Sequence, residues 1–140
     1  MDGSIHRAAG PLLLEECKNL GGCAIGQAKL TKGYKLPAKY IIHTVGPIWR
    51  SGNKGESKLL ASCYVSSLRL AEELKVEKMA FPAISCGIYG YPVSQAAMIA
   101  IKETANFLEL HEFPKEVIFV CFDESIYEAY QNALDSLHHE

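Results

Sequence analysis

Apolar and polar positions along the chain fall into alternating helical and extended blocks. Over residues 2–20, Ile5, Ala8, Ala9, Leu12, Leu13 and Cys17 lie on roughly one helical face. Pro11 divides this stretch into two short helices or begins the second, and Gly21-Gly22 is a stop signal. Residues 27–31 are a short strand candidate, followed by a turn at Lys32-Gly33-Tyr34. Residues 39–45 form a stronger strand candidate, ended by Gly46-Pro47. A polar loop over 48–56 leads into the clearest helical pattern, 57–74, where Leu60, Cys63, Tyr64, Ser67, Leu68, Ala71 and Leu74 share a face and Ser57 is placed to cap it. Residues 78–84 read as a strand and 93–110 as a helix, with Ala97, Ala100, Ile101, Thr104, Ala105 and Leu108 on one side. Residues 116–122 are a continuous apolar strand of the kind buried on both faces of a parallel sheet. Asp123 or Ser125 caps a last helix running to about Leu137.

Strands alternating with helices predict a three-layer α/β/α sandwich. Ligands in such folds sit beyond the carboxyl ends of the strands. The loops at 82–92 and 122–124 meet that condition. The first is the more informative, because a strand, a glycine-containing loop and a helix start together make an anion cradle. Pro92 sits at or just before the first helical position, and Gly87 and Gly90 permit close backbone approach. Tyr89 and Tyr91 present flat faces to a sugar or base. No charged residue occurs from Met79 through Ile101, so a phosphate held here is held by backbone dipoles. The same pattern also fits a strand–loop–helix connection that binds nothing.

Composition narrows the picture. The length, 140 residues, suits one domain spanning 1–140, and 49% hydrophobic with 21% charged residues supports a real core. A formal charge of −2 argues against a general nucleic-acid binder. No signal-peptide pattern or membrane-length apolar run is present; the uncharged 79–101 stretch is interrupted by Pro82, Gly87, Gly90, Pro92 and Gln95. The five cysteines are odd in number and lack a C-x-x-C pair, which favours reduced thiols in a cytoplasmic compartment, with neither a disulfide frame nor a zinc site. No cofactor is implied.

Several side chains carry competing readings. Cys86 stands near a helix start, where thiols acidify, and His43 or His6 would be its base, but no cysteine-hydrolase signature accompanies it. His43 lies in an apolar strand and reads as a core histidine. A zinc site from Cys86, Cys121 and His43 lacks ligand spacing. Tyr64, Phe107 and Tyr127 read as core. Phe122 is either the last core residue of its strand or an aromatic platform, and Trp49 with Arg50 either covers the cleft or packs on the body.

Four stretches together resemble a known family: residues 2–11 (Asp-Gly-Ser-Ile-His-Arg-Ala-Ala-Gly-Pro), 26–31 (Gly-Gln-Ala-Lys-Leu-Thr), 42–47 (Ile-His-Thr-Val-Gly-Pro) and 81–92 (Phe-Pro-Ala-Ile-Ser-Cys-Gly-Ile-Tyr-Gly-Tyr-Pro). The chain resembles a macro domain of the ADP-ribosyl hydrolase and O-acetyl-ADP-ribose deacetylase branch. That resemblance implies a mixed sheet between helices and a cleft for ADP-ribose. It implies that Ser85, Cys86, Gly87, Ile88 and Tyr89 wrap the diphosphate, with Tyr89 against the distal ribose and Phe122 beside the adenine. Asp2 matches the aspartate that orients the attacking water, in competition with a helix N-cap role. Cys86 stands where the family usually has Thr. The family supplies further strands ahead of Asp2, one of them central, with residues that read adenine and hold the distal ribose, so the expected fold is a version truncated at the N-terminus. The expected activity is hydrolysis of ADP-ribosyl esters, on ADP-ribosylated Asp or Glu side chains of proteins or on O-acetyl-ADP-ribose. The alternatives are a non-catalytic ADP-ribose-binding module or a degenerate remnant. An uncovered sheet edge also makes a homodimer an expected partner arrangement.

Overall fold

A computed structural model describes the backbone of residues 2–138 and the side chains of 5–137. Nine elements follow one another: α1 (Asp2–Ala9), α2 (Pro11–Asn19), β1 (Ala28–Lys32), β2 (Tyr40–Thr44), α3 (Glu56–Glu73), β3 (Lys78–Pro82), α4 (Val93–Leu110), β4 (Glu116–Val120) and α5 (Glu124–His138). Pro11 opens α2, where its missing N–H costs no helical bond. The last helix is capped by Asp123, whose Oδ1 accepts from the Ile126 N–H at 2.9 Å and the Ser125 hydroxyl at 2.9 Å. Ser57 does not cap α3: that helix starts one residue earlier, with Gly55 as its N-cap at φ 76°.

Among the described residues the strands form two two-stranded ladders, one antiparallel and one parallel, the mixed strand directions expected of this α/β fold. β1 and β2 pair antiparallel, with Leu30 opposite Ile42. β3 and β4 pair parallel, with Phe81 opposite Phe119, and α4 supplies the crossover that a parallel pair requires. Among the described residues no ladder joins β2 to β3. An isolated parallel bridge, Ile25 to Val45, extends the first ladder only locally.

Helix α3 holds the ladders together. Its Ser62 and Ser66 hydroxyls donate to the Gly26 carbonyl at 2.7 and 3.0 Å, and its Cys63 thiol donates to the Val45 carbonyl at 3.3 Å. On the other ladder, the Tyr64 ring lies 4.9 Å from that of Phe81, and Phe81 stacks on Phe119 at 5.9 Å. Tyr64 is fully buried and shares a hydroxyl contact of 3.2 Å with Tyr130 of α5. Leu60, Leu68, Ala97, Ala100 and Ile101 complete this core.

β4 departs from its expected two-sided burial. Val117 and Phe119 pack against the core, whereas Ile118 and Val120 are each 47% exposed. On the core side the Phe119 ring lies 5.3 Å from that of Tyr130 on α5. Tyr127 of α5, expected in the core, is 58% exposed, while Tyr64 and Phe107 are buried as expected. No described helix is long and apolar enough to cross a membrane.

Because Phe81 bridges α3 and β4, the prediction is that Phe81→Ala destabilises the fold by about 3–5 kcal/mol in urea denaturation. A loss under about 1 kcal/mol, the scale of a surface change, would contradict this account of the core.

Candidate ligand-binding site

At the carboxyl end of β3 the chain turns through 83–92 before entering α4. The turn is fixed from within. The Cys86 N–H donates to the Ala83 carbonyl at 3.2 Å, Gly90 N–H to Gly87 at 3.0 Å, and Tyr91 N–H to Ser85 at 3.0 Å. Ser85 adopts φ +66°, a left-handed conformation uncommon outside glycine. Its hydroxyl donates to the Pro47 carbonyl at 2.8 Å, which ties the loop to the end of β2. Gly46 makes that approach possible, since a β-carbon there would lie 2.4 Å from Ser85 Oγ and 2.6 Å from Ile84 Cγ2.

With the inner side of the loop so engaged, its outer side is left open. Among the described residues, the N–H groups of Gly87, Ile88 and Tyr89 donate to no protein acceptor. The Ile88 side chain is fully exposed and Tyr89 is 40% exposed. Directly beyond, α4 begins at Val93, and Ala96 is the first residue of its opening turn whose N–H meets a helical acceptor, Pro92. Outward amides beside a helix N-terminus make a seat for an anion without any cation. Of the five residues read as diphosphate contacts, Cys86 is the one whose amide turns inward.

The second loop converges on the first. Phe122, just past β4, is 58% exposed, and its Cζ lies 3.9 Å from where a Gly87 β-carbon would stand. This resolves its two readings in favour of an exposed aromatic ring at the loop. The side chain of Asp2 lies outside the described residues; its backbone starts α1.

The remaining candidates do not join this cluster. Burial pushes the Cys86 thiol up to about 11, helped by Cys121 and Asp123, so it is protonated at neutral pH and is a poor nucleophile. His43 sits on β2 with Nε2 2.8 Å from Thr31 Oγ1 and 3.9 Å from Cys17 Sγ, in the environment of a partnered structural histidine. No three His, Cys, Asp or Glu side chains converge among the described residues, so Cys86, Cys121 and His43 form no group.

Trp49 packs on the body of the molecule. Its ring lies 4.7 Å from that of Tyr91, and its N–H donates to the Tyr89 carbonyl at 2.9 Å. Sequence reasoning did not connect Gly46 and Pro47 with the 83–92 loop. Gly46-Pro47 was visible as a strand stop and as the end of one of the four stretches that carry the family resemblance. Its contact with Ser85 spans 38 residues of chain and leaves no local signature.

Comparison with known proteins agrees with this geometry. The family model described as the Macro domain matches residues 1–100. A macro domain-containing protein of Methanosarcina mazei is 55% identical over 137 residues, covering 98% of this chain and 73% of its own length. An O-acetyl-ADP-ribose deacetylase of Citrobacter koseri is 49% identical, covering 96% of this chain and 78% of that protein. The structure of the Oceanobacillus iheyensis macrodomain with ADP superposes with a TM-score of 0.92 at 41% identity, over 99% of this chain and 76% of that one. The Trypanosoma brucei macrodomain in complex with ADP-ribose superposes with a TM-score of 0.87 at 44% identity, over 95% of this chain and 56% of that one. Taken with the mixed strand directions and the strand–loop–helix seat, these likenesses show that the chain belongs to the macro-domain family.

Proposed function

We propose that this protein binds ADP-ribose over the 85–89 loop and hydrolyses ADP-ribosyl esters. The observation that carries the reading is the row of exposed loop residues Gly87, Ile88 and Tyr89, whose amides meet no protein acceptor among the described residues, set in a stretch with no charged residue. A diphosphate satisfies those donors and is favoured by the positive end of α4. Phe122, beside Gly87, then lies against the adenine, and Tyr89 against the distal ribose. The relatives support the class of ligand: one solved macrodomain holds ADP-ribose, and a curated relative is named O-acetyl-ADP-ribose deacetylase.

In the proposed reaction, Asp2 accepts a hydrogen bond from a water, and the ligand's own phosphate holds that water from the other side. The water oxygen bonds to the ester carbonyl carbon, the bond from that carbon to the ribose oxygen breaks, and the ribose oxygen takes the proton. The products are a carboxylic acid and free ADP-ribose, with no covalent enzyme intermediate. Positioning is the main contribution of the protein, so small displacements of the loop are costly.

A second reading, binding without turnover, is favoured by the absence of a ladder between β2 and β3 among the described residues, directly beside the seat. Titration calorimetry with ADP-ribose, run alongside release of acetate from O-acetyl-ADP-ribose and of ADP-ribose from modified glutamate, separates the two. Binding with turnover is the expected result. Binding alone supports the second reading, and absence of binding removes both. Asp2→Ala is expected to abolish most turnover while leaving ADP-ribose affinity largely intact, and equal release rates would remove Asp2 from the mechanism.

Gly46→Ala tests the seat itself. The added carbon displaces Ser85, and the expected weakening of ADP-ribose binding is roughly tenfold, the scale of one lost hydrogen bond to a charged group. Unchanged affinity in calorimetry would detach the Gly46–Ser85 approach from ligand binding.

A further inference from the structure

Glu56 is only 2% exposed, yet its carboxylate is met by backbone N–H groups and not by a cation. Oε2 accepts from Arg50 N–H at 2.7 Å and from Gly52 N–H at 3.0 Å, and Oε1 accepts from Lys54 N–H at 2.6 Å. Burial by itself raises the carboxyl, but the amides of Arg50, Glu56, Lys54 and Gly52 outweigh it, and the net shift is downward. The group is therefore a carboxylate at neutral pH, and it folds the 50–54 segment around itself.

That segment touches Trp49. Gly52, at φ +82°, lies so close to the indole that a β-carbon would stand 2.6 Å from Trp49 Cη2. On its other side the indole meets Tyr91, which is 3% exposed, with ring centroids 4.7 Å apart. The Trp49 main-chain N–H donates to the Tyr89 carbonyl, and the Tyr91 main-chain N–H donates to the Ser85 carbonyl. A continuous series of contacts thus runs from Glu56 to both ends of the 85–89 loop.

We propose that Glu56 is a positioning residue for the anion seat: it closes the 50–54 segment over Trp49, and Trp49 fixes the Tyr89 and Tyr91 backbone so that the 87–89 amides face outward. The inference rests on the ADP-ribose reading of that loop. It assigns to the 48–56 stretch a role in ligand affinity, reached through main-chain and ring contacts.

Trp49 is the one tryptophan of the chain, so its fluorescence reports the segment directly. The experiment measures Trp49 emission, acrylamide quenching and calorimetric ADP-ribose affinity for the full wild-type chain, Glu56→Gln and Glu56→Ala. Wild type is expected to bind, with a change in Trp49 emission on adding ADP-ribose. Glu56→Ala is expected to shift emission to the red and raise quenching. Its affinity should fall about tenfold, as when the competent loop is populated a tenth of the time. Glu56→Gln keeps one acceptor oxygen and is expected to recover part of both signals.

Three outcomes overturn the inference. One is Glu56→Ala binding within about twofold of wild type despite a released Trp49. Another is weaker binding with Trp49 emission and quenching unchanged. The third is a wild type that does not bind ADP-ribose; that failure, visible without any variant, also ends the ligand reading, whereas the first two leave it intact. Should Glu56→Ala not fold, Gly52→Ala presses on the indole with Glu56 in place. It is expected to shift emission and weaken binding together, and a shift with wild-type affinity overturns the inference.

Discussion

The buried face of α3 is the constraint from which the rest of the structure follows. Two-stranded ladders are marginal on their own, and here neither ladder pairs with the other. What fixes their separation is one helix that hydrogen-bonds the carbonyls of Gly26 and Val45 on one side and wedges Tyr64 against Phe81 on the other. The serine and cysteine donors matter as much as the apolar contacts. A buried carbonyl costs free energy unless something donates to it: Ser62 and Ser66 donate to that of Gly26, and Cys63 adds a second donor to that of Val45, which already accepts from the Gly26 N–H at 2.9 Å. Through that spacing α3 also sets how closely Gly46 approaches Ser85, and the shape of the candidate seat inherits its precision from the core.

A seat built from amides behaves differently from one built from lysines. A flexible cation follows its anion when the backbone shifts. Amides point where the chain points, and their attraction is lost when the loop turns. Such a site needs stiffness, and the 83–92 loop has it in an unusual degree: three internal main-chain hydrogen bonds, one side-chain tether to Pro47 and one main-chain bond from Trp49. The left-handed Ser85 belongs to the same stiff turn, and from that conformation its hydroxyl reaches the Pro47 carbonyl.

Much of this was legible in the chain. The helical faces of α3 and α4 could be read from spacing alone, and the strand–loop–helix seat from its glycines and lack of charge. What local pattern cannot report is what covers a residue. Ile118 and Val120 are as apolar as Phe119, yet each is 47% exposed while Phe119 packs against the core. Tyr127 keeps helical register with buried neighbours and still faces solvent. The 48–56 stretch read as an ordinary polar loop. Nothing in the sequence shows that three amides fold back onto Glu56. Contacts between distant segments, such as Gly46 with Ser85, were invisible for the same reason: each partner has a sufficient local explanation.

The environment of Cys86 bears on which chemistry such a seat favours. With its thiol pushed up to about 11 by burial, the thiolate is a minor form at neutral pH. A covalent route would begin from that minor form, and His43, one of the two histidines considered as its base, is occupied on β2 with Thr31. The proposed route, in which water is the nucleophile, does not draw on that thiolate. Burial of Cys86 therefore does two things at once. It supplies packing beneath the loop, and it removes the one strongly nucleophilic side chain of that loop from competition. The outward surface is left to backbone donors and aromatic rings, a surface suited to orienting a phosphorylated sugar while water performs the displacement.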